Sequence, residues 1–144
     1  MIKSVQVMNK KKVEEFAMQT HSETYIVVSI ASKKMNTAFI VPNTASNIKE
    51  VLFVSFNDTD MTNFELGGIT KKEAKQISDF VKRYNNEEDE VELIVQCEAG
   101  LSRSIGTAGA ISKYLFNDDS IAFSNGKTPN RLCYRKVLEE LMTD

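Results

Sequence analysis

Val91-Glu92-Leu93-Ile94-Val95-Gln96-Cys97-Glu98-Ala99-Gly100-Leu101-Ser102-Arg103-Ser104-Ile105-Gly106-Thr107-Ala108-Gly109-Ala110 is the stretch on which the fold turns. Its opening run, 91–96, is nearly all apolar, as in strands buried on both faces of a parallel sheet. Cys97 follows at the C-terminal end of that strand. Arg103 then opens a helix that continues over 104–115, where Gly106, Ala108, Gly109 and Ala110 leave little side chain between its backbone and its neighbours. The residues between strand and helix form a tight loop, at the place where open α/β sheets hold ligands.

Two further runs, 25–30 and 51–56, read as the same kind of buried strand. Between 51–56 and 91–96 lies a strong helix. Thr70 and Glu73 form its capping box, Ala74, Ile77, Val81 and Tyr84 recur at helical spacing, and it should end near Asn85-Asn86. An earlier helix over 11–18 is indicated by Val13, Phe16 and Ala17. The last helix is expected to have Thr128 as N-cap and Pro129 at its first position, with Tyr134, Val137, Leu138 and Leu141 on one face. The acidic run Glu87 to Glu90 reads as a solvated loop with no assigned role. Strands alternating with helices predict a single α/β domain over residues 1–144, with a central, mainly parallel sheet flanked by helices and no internal repeat.

The chain has 144 residues, enough for one core, and its 42% apolar and 26% charged content argues against extended disorder. A formal charge of -2 gives no general attraction to nucleic acid or anionic membrane, so phosphate affinity must come from a local site. Residues 1–12 lack the pattern of a signal peptide, and no apolar run approaches the roughly 18 residues of a membrane span. The expectation is therefore a cytoplasmic protein with no membrane or nucleic-acid partner, whose two cysteines, Cys97 and Cys133, are free. The lone histidine, His21, reads as a surface loop residue and makes no metal site. No cofactor is implied, and the oligomeric state is not indicated.

A loop closing onto a helix N-terminus can turn successive backbone N–H groups inward as an anion-binding nest, helped by the helix dipole. Gly100 permits close backbone approach, and Arg103 offers a planar fork matched to two phosphate oxygens. The same field favours the Cys97 thiolate over the thiol. Ser104 is placed to donate a hydrogen bond to the sulfur.

Residues 95–104, Val-Gln-Cys-Glu-Ala-Gly-Leu-Ser-Arg-Ser, resemble the Cys-x5-Arg-Ser/Thr signature of the protein tyrosine phosphatase superfamily, and the Ala-Gly-x-Ser-Arg-Ser portion resembles its dual-specificity branch. The resemblance implies a dual-specificity phosphatase-like catalytic domain in which Glu98, Ala99, Gly100, Leu101, Ser102 and Arg103 bind the phosphate. It implies a hydrolase with Cys97 as nucleophile, a phosphocysteine intermediate, and Arg103 and Ser104 in supporting roles. Asp58, just past the run 51–56, resembles the family's general acid, with Asp60 as competitor. Asn130 resembles an asparagine that braces the phosphate loop, although capping its own helix is an equal reading.

The implied substrates are phosphorylated proteins or small phosphomonoesters, phosphotyrosine first and phosphoserine or phosphothreonine beside it. Inositol lipids are disfavoured by the absence of lysine in the loop. The family's histidine before the nucleophile is Gln96 here, which predicts slower turnover rather than inactivity. The alternatives are a catalytically weak or inactive phosphate-binding pseudophosphatase module and, less favoured, another cysteine-loop chemistry such as arsenate reduction or sulfur transfer.

Overall fold

The structure, a computed structural model, describes residues 1–34, 47–98 and 101–143. Its elements run β1 (Ile2–Asn9), α1 (Lys10–Ala17), β2 (Tyr25–Ala31), β3 (Ile48–Ser55), a 3-10 turn (Phe64–Leu66), α2 (Lys71–Asn85), β4 (Val91–Cys97), α3 (Arg103–Phe116), α4 (Ser120–Phe123) and α5 (Arg131–Leu141). The strands form a parallel sheet in the order β1-β4-β2-β3. This is the expected α/β arrangement of a parallel sheet flanked by helices.

Successive strand residues face opposite sides of a sheet, and the interior strands β2 and β4 use both. Tyr25, Val27 and Ile94 pack with Val13 and Ala17 of α1 on one side. Ile26, Val28, Ile30, Leu93, Val95 and Cys97 face the other side, against α2, α3 and α5. Every residue of β2 is buried. Burial of each such Ile or Val contributes about 1.5–3 kcal/mol, so these two strands anchor the sheet.

The run 51–56 departs from expectation, because β3 is an edge strand whose middle is only half-buried. No element was expected at 2–9, yet β1 forms the other edge. Its apolar residues do not make a continuous run, since an edge strand needs few buried positions, and only Ile2 and Met8 of β1 are fully buried. His21 lies in the loop after α1, as expected, and is half-buried. Its ring stacks on Phe16 at 3.7 Å between centroids, and its Nε2 lies 3.0 Å from the Phe16 carbonyl.

The predicted capping box is present, with the Thr70 N–H donating to Glu73 Oε1 at 2.9 Å. α5 starts later than expected. Its N-cap is Asn130, whose Oδ1 accepts from the Cys133 N–H at 2.9 Å, leaving Thr128 and Pro129 in the preceding loop. Asparagine is among the strongest N-caps, and here it prevails over the Thr-Pro signal.

The small residues of α3 set its distance from its neighbours. A β-carbon on Gly106 would lie 2.3 Å from the Asn130 carbonyl oxygen, and one on Gly109 would lie 2.4 Å from Ala122 Cβ. The first of these obstacles is backbone and cannot swing aside. Gly106→Ala should therefore lower the unfolding free energy by about 1–3 kcal/mol, as overpacking does, and a urea midpoint equal to that of the natural chain would contradict this.

At the β3 edge, Glu50 receives hydrogen bonds from Arg83 Nη2 at 2.9 Å and from the Tyr84 hydroxyl. Burial works to raise the Glu50 pKa, but the bonds from Arg83 and Tyr84 prevail and hold it below its ordinary 4.5. A carboxylate with a depressed folded-state pKa stabilises the fold above its unfolded value and loses that contribution as the pH falls through the folded one. Glu50→Gln should accordingly flatten the acid limb of the stability profile below about pH 4.5, and an unchanged limb would refute the assignment.

Candidate active site

β4 ends at Cys97, paired in register with Asn9 of β1, and α3 begins six residues later at Arg103. Cys97 is 2% exposed, and its Sγ lies 3.1 Å from Ser104 Oγ on the first turn of α3. The sheet alternation puts Cys97 on the α3 side and Gln96 on the α1 side. Gln96 Oε1 accepts from the hydroxyl of Ser29, its register partner on β2, at 2.6 Å. Gln96 thus ties β4 to β2 beneath the loop instead of reaching the sulfur. His21 packs near Tyr25, at the opposite end of the strands from Cys97.

Arg103 is 6% exposed although it carries a positive charge. Its Nη1 donates to Ser32 Oγ at 3.1 Å and to the Phe56 carbonyl at 2.9 Å, just past the ends of β2 and β3. Its Nε has no hydrogen-bond partner, and no carboxylate forms an ion pair with it among the described residues. A buried cation held only by neutral acceptors has lost water without gaining a counter-charge.

The N-terminus of α3 is also uncapped. Ser102 makes no side-chain capping bond to α3, and its hydroxyl instead donates to Asp58 Oδ1 at 2.9 Å. The first N–H groups of a helix have no intrahelical partner, so this end can receive an anion. The Ser102 carbonyl accepts from the N–H groups of Gly106 at 2.9 Å and Asn130 at 3.0 Å, which joins the starts of α3 and α5.

Asn130 completes the arrangement. Its Nδ2 donates to Asp58 Oδ1 at 2.9 Å and to the Thr59 carbonyl at 3.0 Å, while its Oδ1 caps α5. The side chain therefore caps its own helix, as one reading from sequence had it, and also reaches the loop after β3, while the backbone N–H bonds the Ser102 carbonyl. Both bonds to Asp58 fall on Oδ1, so Oδ2 is left without a protein partner among the described residues. Asp58 lines an open depression of about 460 Å³ with Asp60, Ser102 and Asn130. Asp60 shares that depression, but its carboxylate makes no hydrogen bond or ion pair among the described residues.

Among the remaining expected residues, Leu101 is 63% exposed at the mouth of the loop. Glu98 accepts the Lys10 N–H at its carbonyl, 3.1 Å away, and lies with Lys10, Lys11 and Glu14 around a separate depression. Ala99 and Gly100 lie outside the described residues. Cys133 is buried and free. Burial first, and the Asp58 charge second, push its thiol well above the ordinary thiol range, so it stays protonated. Ser32 and Ser29 were not anticipated from sequence; the available signal was a hydroxyl at or just past the end of the run 25–30. No cluster of three or more potential metal ligands occurs among the described residues, and no described helix is long and apolar enough to cross a membrane.

No family model matches the chain, and no curated protein matches it. Among solved structures, the human tyrosine phosphatase-like serine/threonine/tyrosine-interacting protein is similar at 19% identity, over 91% of this chain and 83% of that one, with a TM-score of 0.48. That likeness is too distant to carry chemistry from one chain to the other.

The dual bonding of Asn130 has a measurable signature. Asn130→Ala should cost about 1–3 kcal/mol, the sum of a lost cap and buried groups left unpaired. Asn130→Asp keeps the cap but sets a second carboxylate against Asp58, so its stability deficit should grow between about pH 4 and pH 7 as that group ionises. A deficit independent of pH would show that the side chain does not hold Asp58.

Proposed function

We propose that the chain is a cysteine-dependent phosphatase that hydrolyses phosphomonoesters, phosphotyrosine first, through a phosphocysteine intermediate. The observation that carries this reading is the buried Arg103 guanidinium, with its unpartnered Nε and no carboxylate partner among the described residues, at the start of the helix whose Ser104 touches Cys97. A dianionic phosphate supplies what Arg103 lacks and meets the free N–H groups of α3.

In this reading the Cys97 thiolate attacks phosphorus in line and the bond to the ester oxygen breaks. The departing oxygen takes a proton from Asp58 Oδ2, the carboxylate oxygen that Ser102 and Asn130 leave free. Arg103 and the loop amides hold the equatorial oxygens as charge builds on them. Water then attacks the phosphocysteine, Asp58 accepts its proton, and the S–P bond breaks to return the thiolate, which the Ser104 hydroxyl stabilises as it leaves. Asp58 is preferred to Asp60 because it is the one aimed by two hydrogen bonds.

The test is hydrolysis of p-nitrophenyl phosphate and of a phosphotyrosine peptide by the natural chain, Cys97→Ser and Asp58→Ala. Cys97→Ser should abolish turnover of both. Asp58→Ala should lower turnover of the peptide, the poorer leaving group, by about 100-fold to 10,000-fold and affect p-nitrophenyl phosphate less. If the natural chain shows no activity above the Cys97→Ser background yet binds the phosphopeptide, it is a phosphate-binding module and not an enzyme.

A further inference from the structure

The net charge of -2 conceals an uneven distribution of charge. β2 ends at Ala31 and leads into Ser32-Lys33-Lys34, at the same end of the sheet as Cys97, whereas the acidic run 87–90 precedes β4 at the other end. Beside Asp58 there is a second, smaller groove of about 160 Å³, with Lys33, Lys71 and Lys136 around it and Met61, Ile69 and Leu132 among its apolar lining. No carboxylate lines it among the described residues. Glu139 and Glu140 stand beyond Lys71 and Lys136, around a different depression.

The three ammonium groups have little to neutralise them. Lys33 and Lys136 make no side-chain hydrogen bond or ion pair among the described residues. Lys71 has one ion pair, to Glu140 at 3.7 Å, with its side chain 81% exposed, and such contacts hold little. The groove is also continuous with the candidate active site. Met61 lines both it and the depression containing Asp58, and Lys33 directly follows Ser32, the hydroxyl that receives Arg103. The Lys33 N–H donates to Asn57 Oδ1 at 3.0 Å, which fixes it beside the acid loop.

We infer that this lysine groove binds an acidic segment of a phosphoprotein substrate, taking an Asp or Glu side chain that flanks the phosphorylated residue. The inference rests on the phosphatase reading and deepens it by naming the substrate class. Three lysines, of which only Lys71 has an ion pair and that one exposed, select a carboxylate over an amide. The apolar lining accepts the methylene stem of the same side chain, and the shared wall at Met61 puts the groove within a few residues of a phosphate held at Arg103. The attraction is exposed to solvent, so it acts on binding and is screened by salt.

The experiment uses the full chain and two phosphotyrosine peptides that differ only in carrying Glu or Gln at the flanking positions, with p-nitrophenyl phosphate as a substrate too small to reach the groove. The Glu peptide should have a KM about tenfold lower at equal kcat, and the preference should shrink at high salt. Lys33→Ala combined with Lys136→Ala should remove the preference and leave p-nitrophenyl phosphate turnover unchanged. Equal KM values for the two peptides in the natural chain, or a preference that survives the double variant, would overturn the inference while the phosphatase reading stands. If p-nitrophenyl phosphate is not hydrolysed at all, the phosphatase reading fails, and binding of the same two peptides by fluorescence polarisation still decides whether the groove prefers Glu. Loss, in the double variant, of binding to vesicles containing phosphatidylserine with no change toward the peptides would assign the groove to lipid and overturn the inference.

Discussion

The close approach of α3 to α5 at Gly106 is the constraint from which the rest of the site follows. With no room for a β-carbon between Gly106 and the Asn130 carbonyl, the starts of the two helices meet at backbone distance. The Ser102 carbonyl then takes N–H groups from both. Asn130, held there, reaches back to Asp58, so the loop after β3 is aimed by a helix that begins more than seventy residues later. Remove the small residue and the cap, the loop and the carboxylate lose their common reference.

A second constraint is electrostatic. The fold buries Arg103 with two neutral acceptors, an arrangement that costs desolvation without an ion pair in return. A fold selected for stability alone would place an apolar residue or a carboxylate there. Under the proposed reading, this arrangement beside a cysteine and a helix start without a side-chain cap suits negative charge, since preorganised dipoles are a main device by which enzymes stabilise developing charge.

How much of this was legible in the sequence depended on range. The strand, loop and helix of 91–110 are local, and their hydrophobic run, turn and small-residue pattern lie within one window, so Cys97, Arg103 and Ser104 could be placed with respect to one another. β1 was not legible because an edge strand needs few buried positions. The start of α5 was misplaced by two residues because the Thr-Pro signal at Thr128 and Pro129 competes with the stronger cap at Asn130. The partners of Arg103, Asp58 and Gln96 were out of reach, since Ser32 and Ser29 come near them only through the strand order β1-β4-β2-β3 and Asn130 only through the packing of α5 on α3. Both are set by tertiary packing and leave no mark on neighbouring residues.

The double duty of Asn130 also bears on how the molecule can vary. A side chain that both starts a helix and aims a carboxylate places the site inside a cooperative folding unit rather than on a loop that opens independently. Variation there is filtered by foldability before it is filtered by activity, because a chain that loses this residue loses order at the head of α5 as well. The exposed residues of the rim, such as Leu101, carry no such burden. A substitution at the rim therefore meets water and little else, while one beneath it meets the requirement to fold.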